Sequence, residues 1–171
     1  MCSIYSAWSR NLRAILLGIL LVVCPVLISA QGQLTPQQHQ RLMSYVNSGD
    51  SQKLFADPIV KAQLVHLMGP QLRHLHTNLD VHGPIGVQDG MLILTGNAPH
   101  MGMEENGFLG VKLYNGEVVA CIYTHDRVEV FTKQPKFDYL SQAVHQWAVW
   151  ILASARLQGR QPANIVMHTV L

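Results

Sequence analysis

The chain has 171 residues, 49% of them apolar and 13% charged, with 12 Lys and Arg against 10 Asp and Glu. Two of the cations, Arg10 and Arg13, fall in the first thirty residues and none of the acids does, so the rest of the chain is neutral. A neutral, sparsely charged chain offers no basic stripe for a phosphate backbone, which sets nucleic-acid binding aside. Its length suits one domain with a real hydrophobic core.

Arg10 and Arg13 precede the apolar run Ala14 to Ile28, and Ile28-Ser29-Ala30 ends on the small residue that a signal peptidase needs. Residues 1–30 are therefore expected to be a signal peptide and 31–171 a single exported α+β domain, periplasmic or secreted, with membrane contact only through the leader. An uncleaved anchor is the alternative, because Ala14 to Ala30 approaches the roughly 20 apolar residues that span a bilayer. Pro25, the Ser-Ala terminus and the polar Gln-rich sequence beyond favour cleavage. Cys24, preceded by Leu21-Val22-Val23 and followed by Pro25, lacks the small neighbours of a lipobox. Cys2 and Cys24 leave with the leader, so Cys121 has no intramolecular partner and reads as a packed core residue. The lack of disulfides and of any Asn-x-Ser/Thr acceptor after residue 30 leans towards a bacterial periplasm.

Thr35-Pro36-Gln37-Gln38 carries a hydroxyl cap, a proline at the first helical position and a glutamine two residues later, and predicts a helix that runs to Gly49. Asp50 caps a short turn through Phe55, and Asp57-Pro58 launches a longer helix with Leu64, Met68, Leu72, Leu75 and Leu79 on one stripe, broken at Gly69-Pro70. From Val81 the apolar period becomes two, and Asp89-Gly90 and Asn115-Gly116 are strong hairpin signals. A two-residue turn at Asn115-Gly116 sets Leu113 opposite Val118, Val111 opposite Ala120 and Leu109 opposite Ile122. A three-residue loop at Thr124 to Asp126 then sets Val128 opposite Ile122, in preference to a two-residue loop that would bring Glu129 there. The expectation is a five-stranded antiparallel meander (84–88, 91–96, 107–114, 117–123, 127–132), with Ile165 to Val170 as a weak edge strand. Phe137 to Leu157 is the last helix, with Asp138 as cap, Gly159 past its end and Leu140, Val144, Trp147, Ile151 and Ala155 on its stripe. The fold class is α+β, the C-terminal helix covering the Leu109, Val111, Ala120 and Ile122 face and the opposite, half-polar face open to water.

Residues 97–106 join two neighbouring strands with far more chain than a tight hairpin needs, and long loops of this kind carry function. Asn97, His100, Met101, Met103, Glu104 and Glu105, with His125 from another loop, are the candidate binding residues. A metal site is weakly supported: nine histidines are present, but no His-Glu-x-x-His or Cys-x-x-Cys occurs and the spacings do not converge. No nucleophile elbow, phosphate loop or dinucleotide fingerprint is present, so neither a catalytic residue nor a cofactor is assigned.

Two classes of function follow. The first is a non-catalytic exported protein that docks on a protein partner, as an inhibitor of a hydrolase or an immunity protein against a toxin, through the half-polar sheet face or through the 97–106 loop with His100 at its tip. The second is a metal- or small-molecule-binding protein, or a small hydrolase, using His100, Met101, Met103, Glu104, Glu105 and His125. Small exported α+β domains without catalytic motifs favour the first, by analogy of class.

Overall fold

The computed structural model describes residues 32–102, 104–161 and 164–170; the leader expected at 1–30 and Met103 lie outside them. The capping box at Thr35 forms as its sequence predicts. The Thr35 hydroxyl accepts from the Gln38 amide at 3.2 Å while the Gln38 side chain accepts from the Thr35 amide at 2.8 Å. This starts α1 (Pro36–Met43), which ends a turn earlier than expected, the Ser44 hydroxyl donating to the Arg41 carbonyl and Asn47 adopting a left-handed φ of 61°.

Asp50 and Asp57 each cap a following helix, α2 (Ser51–Ala56) and α3 (Pro58–Met68). Buried Asp57 also takes Arg41 at 2.6 Å and the Tyr45 hydroxyl at 3.2 Å, which ties α1 to the start of α3. Gly69 and Pro70 interrupt the stripe as a single 3-10 turn (Gly69–Gln71) before α4 (Leu72–Thr77).

Among the described residues the sheet has seven strands: β1 (Val81–His82), β2 (Gly86–Gln88), β3 (Met91–Asn97), β4 (Asn106–Lys112), β5 (Val118–Thr124), β6 (Arg127–Thr132) and β7 (Ile165–Thr169). Its order is β1-β3-β4-β5-β6-β7, with β2 also on β3. All pairs are antiparallel except β6 with β7. β7 can run parallel to β6 because α5 (Gln142–Leu157) supplies the crossover that parallel neighbours require.

The layering corrects the expected one. Leu92, Leu94, Leu109, Val111, Val118, Ala120 and Ile122 pack against Leu42, Leu54, Val60, Leu64, Leu67, Leu75 and Leu79 of the N-terminal helical segment. The C-terminal helix lies on the opposite face, where Val144, Trp147 and Ile151 join Phe108, Val119, Cys121, Tyr123, Val128 and Val130. That second face looked half-polar because Lys112, Tyr114 and Glu117 alternate with it, but those residues sit at its turn end. Phe108, Val119, Cys121 and Tyr123 are all buried. Each such side chain removed from water is worth about 1.5–3 kcal/mol, enough to demand a cover on both sides. No open sheet face remains in the β4–β5 centre to dock a partner.

Two turns differ from expectation by whole steps of the pleat. Val111 pairs with Val118 and Leu109 with Ala120, so the β4–β5 connection is a four-residue loop, Leu113 to Gly116. A shift of two keeps every side chain on its expected face. The β5–β6 turn is the two-residue one, His125-Asp126, with φ of 48° and 59°. Glu129 does stand opposite Ile122, yet its carboxylate reaches His168 on β7 at 3.3 Å and Arg127 at 3.6 Å, an escape that the sequence of one hairpin does not reveal.

α5 starts at Ser141 rather than Asp138, which lies in a 3-10 turn (Phe137–Tyr139). Its early amide, that of Ala143, is capped across the fold by Asp89 of the β2–β3 turn at 2.8 Å. Trp147 is buried on its inner side, while Trp150, one turn on and only about 60° round the helix, stands exposed at the edge of the same side. Cys121 is free and fully buried, and burial pushes its thiol well above the ordinary range, so it is packing and not chemistry.

Candidate functional site

The β3–β4 loop is two consecutive turns on a locked base. Past the final ladder pair, Asn97 with Asn106, the Ala98 amide still donates to the Glu105 carbonyl at 2.9 Å. Above it the Met101 amide closes a turn on the Ala98 carbonyl at 3.0 Å, with Pro99 and His100 as its central residues. Proline fixes φ for the first of these, and His100 takes the left-handed second, φ 63°, a pairing characteristic of a type II turn. The Glu104 and Glu105 amides then both return to the Met101 carbonyl, at 2.9 and 3.0 Å. His100 and Met101 are left exposed at the tip, and among the described residues no hydrogen bond or ion pair engages the His100 ring. A non-glycine residue in this backbone region is strained by about 1–3 kcal/mol, and such strain collects where the chain presents a functional group.

Glu105 is the bolt of the base. Its side chain is 18% exposed and accepts from the Thr124 hydroxyl at 2.6 Å, His74 Nε2 at 2.7 Å and Asn78 Nδ2 at 3.2 Å. Burial alone would raise its carboxyl pKa; the hydrogen bonds from Thr124, His74 and Asn78 outweigh it and hold the group below its ordinary range. Since the Thr124 hydroxyl gives its one proton to Glu105, its 2.9 Å contact with His125 Nδ1 is a bond that His125 donates. Asn78 Nδ2 also serves the carbonyls of Asn106 and Tyr123, at 3.1 and 3.4 Å, and so stitches the end of α4 to β4 and β5. Gly107 makes that approach feasible. A Cβ there would stand 2.8 Å from Leu79 Cγ and 2.9 Å from the Asn78 carbonyl oxygen.

The outer flank of the loop is held from a third direction. α5 ends in a Schellman motif, the Gly159 amide on the Arg156 carbonyl at 3.0 Å and the Arg160 amide on the Ala155 carbonyl at 3.1 Å. This delivers the Arg160 guanidinium to Glu104 at 2.7 Å and to Asp126 at 3.6 Å. Asp126 in turn accepts from the Tyr123 hydroxyl at 3.0 Å.

Of the residues picked out by sequence, Glu105 and His125 meet through Thr124, and Glu104 meets the neighbour of His125 through Arg160. Asn97 stands at the foot, its Nδ2 donating to the Ala98 carbonyl at 2.8 Å, while Met103 lies outside the described residues. Among the described residues no group of three His, Cys, Asp or Glu is arranged to hold a metal ion. The two glutamates differ sharply: Glu105 is a half-buried anchor and Glu104 a surface strut. His74, Asn78, Thr124 and Arg160 were missed. None carries a local signal, because each acts on the loop from another element.

Chemically the arrangement presents an imidazole and a thioether on a braced projection. No helix among the described residues is long and apolar enough to cross a membrane. Comparison with curated proteins and with solved structures gives no match. One family model does match, over residues 59–154, from the start of α3 to the last turns of α5, more than half of the 171 residues and inclusive of the whole 97–106 loop. Of the two classes that the sequence left open, this selects the non-catalytic protein inhibitor of a hydrolase, acting outside the cytoplasm. The chain belongs to the family described as Inhibitor of vertebrate lysozyme (Ivy).

Proposed function

We propose that the protein is exported to the periplasm by a cleaved leader, residues 1–30, and there inhibits lysozyme by inserting the tip of the 97–106 loop into the enzyme's cleft. One observation carries the reading: His100 and Met101 are exposed at the head of a double turn whose base is bolted by Glu105. A loop already fixed in shape loses little conformational freedom on docking, which is where preorganised inhibitors gain affinity.

The target's chemistry suits the tip. Glycoside hydrolases of this kind set two carboxyl groups about the scissile bond, and an imidazole can donate to both when protonated, or to one when neutral. His100 reaches such a pair while Met101, flexible and polarizable, fills the adjoining apolar surface. No bond is made or broken in the inhibitor; it occupies the cleft and excludes substrate. Asn97, Glu104, Glu105 and His125 belong to this site as supports, and Met103 as a further loop side chain.

The test replaces residues 99–104 by Asn-Gly between Ala98 and Glu105, which keeps the last hydrogen-bonded pair and the Glu105 anchor. Inhibition of a vertebrate lysozyme is expected to vanish while the thermal midpoint barely moves. His100→Ala alone is expected to weaken inhibition by about thirtyfold or more, the scale of a central interface residue. Full inhibition by the loop-replaced protein would overturn the assignment of the loop.

A further inference from the structure

A groove of about 600 Å³ lies beside the loop, on the α5 side of the sheet, between the first half of α5 and the β1–β3 margin. Its size is within the ~300–1,000 Å³ of small-molecule sites. Its lining has a particular chemistry. Among the described residues no lysine, arginine, aspartate or glutamate contributes to it, whereas Trp147, Trp150, Gln88, Gln146, Asn97 and Asn106 do. The one titratable side chain among the described lining residues is that of His82, whose Nδ1 is engaged by the Gly83 carbonyl at 2.7 Å.

The aromatic part is graded in exposure. Trp147 is fixed in the core against Phe108, with ring centroids 5.8 Å apart, while Trp150 one turn later is 54% exposed on the groove wall. The amide part is arranged with spare capacity. Gln88 Nε2 donates to Gln146 Oε1 at 2.6 Å, joining β2 to α5 across the groove and leaving Gln88 Oε1 as an acceptor and Gln146 Nε2 as a donor. Asn97 gives its Nδ2 to the Ala98 carbonyl and keeps its Oδ1. Asn106, 3% exposed, points from β4 to the same side as Phe108, and its Nδ2 is buried with no acceptor. A buried amide donor left unmatched is costly, and a ligand oxygen at the groove floor would relieve it.

We infer that this groove is a binding site for a neutral saccharide of one or two rings, stacked by an apolar ring face on Trp150 and hydrogen-bonded through its hydroxyls to Gln88, Gln146, Asn97 and the unmatched amide of Asn106. An uncharged wall of amides and indole matches a ligand that is polar at its edges, apolar on its faces and without charge. A peptide segment of a protein partner would leave the spare amides to irregular backbone groups and gives Trp150 no defined partner. The inference does not depend on lysozyme inhibition, and its readout is separate from it.

The test is an NMR titration of the full-length protein with two neutral β-linked disaccharides, cellobiose and N,N′-diacetylchitobiose. Saturable shifts of the Trp150 indole N–H and the Asn106 side-chain amide are expected with at least one of them, the difference between the two reporting whether an acetamido group is read. Trp150→Ala, at an exposed position, is expected to weaken binding by about tenfold, and Gln88→Ala, also exposed, to weaken it by less. Absence of saturable shifts with both sugars up to tens of millimolar would overturn the proposal. So would undiminished binding by a folded Trp150→Ala protein.

Discussion

The two connections that flank β4 are held at opposite ends. The β4–β5 loop, Leu113 to Gly116, is tied to the N-terminal helical segment, with the Tyr114 side chain left exposed. Gln63 of α3 donates to the Gly116 carbonyl and accepts from the Val118 amide at 3.2 Å, the Tyr114 carbonyl accepts from the Leu34 amide at 3.0 Å, and Gly116 is buried. The β3–β4 loop has its base tied just as firmly, through Glu105, but its tip stands in water. Both are ordered by long-range hydrogen bonds. What separates them is where the bonds fall: on the apex in one loop and on the root in the other. A loop pinned at its apex is fixed throughout, whereas a loop pinned at its root leaves its tip accessible.

The strongest way to break that contrast is to release the root. Glu105→Ala removes the acceptor shared by His74, Asn78 and Thr124 and leaves the buried Thr124 hydroxyl without it, for an expected loss of about 2 kcal/mol in unfolding free energy by chemical denaturation. Inhibition of lysozyme is expected to fall with it, although the tip is untouched. The pH dependence has a fixed sign. The Glu105 carboxyl is held below its ordinary range in the folded state, so its contribution is complete above that range and disappears as the pH falls through the depressed value. The stability gap between the wild type and Glu105→Gln should therefore shrink in acid. A gap that widened there would contradict the assigned bolt.

Next in size is the tied apex. Gly116 has φ 72°, and a Cβ would stand 2.9 Å from both Ile59 Cγ2 and Leu34 Cδ2. Gly116→Ala combines an unfavourable backbone region with contact against the helical layer, and is expected to destabilise by about 1–2 kcal/mol in thermal or denaturant unfolding. Inhibition by the folded fraction should be unchanged. If Gly116→Ala impaired inhibition as much as Glu105→Ala, the division between apex-pinned and root-pinned loops would fail.

The same contrast marks how far the sequence could be read. Strands β2 to β6 appear within two residues of their expected ends, because alternation and the turn-forming residues between the strands are local signals, although the lengths of the β4–β5 and β5–β6 turns are not. The 97–106 loop is recognisable by length and composition, but its type II turn is not, because His100 stands where glycine or asparagine would have signalled it. Which sheet face α5 covers was not legible. Phe108, Val119, Cys121 and Tyr123 mix with Lys112 and Glu117 along the strands, and only the placement of the N-terminal helices on the other side decides that these four must be roofed by α5. The supports of the loop were equally hidden, since His74, Asn78 and Arg160 come from α4 and the end of α5 and meet Glu104 and Glu105 only in three dimensions.

The finest test compares glycine with glycine. Gly102 lies in the exposed loop, and a Cβ built there would meet only Asn97 side-chain atoms at 3.7 to 4.0 Å, ordinary contact, with no left-handed φ to oppose it. Gly102→Ala is therefore expected to change unfolding free energy by no more than about 0.5 kcal/mol, the range of an unconstrained surface substitution, against the larger loss at Gly116. Thermal unfolding of the two variants side by side reads the difference directly. Equal losses would mean that the upper part of the β3–β4 loop is as tightly enclosed as the β4–β5 apex, and the tip would then have no freedom to enter a cleft.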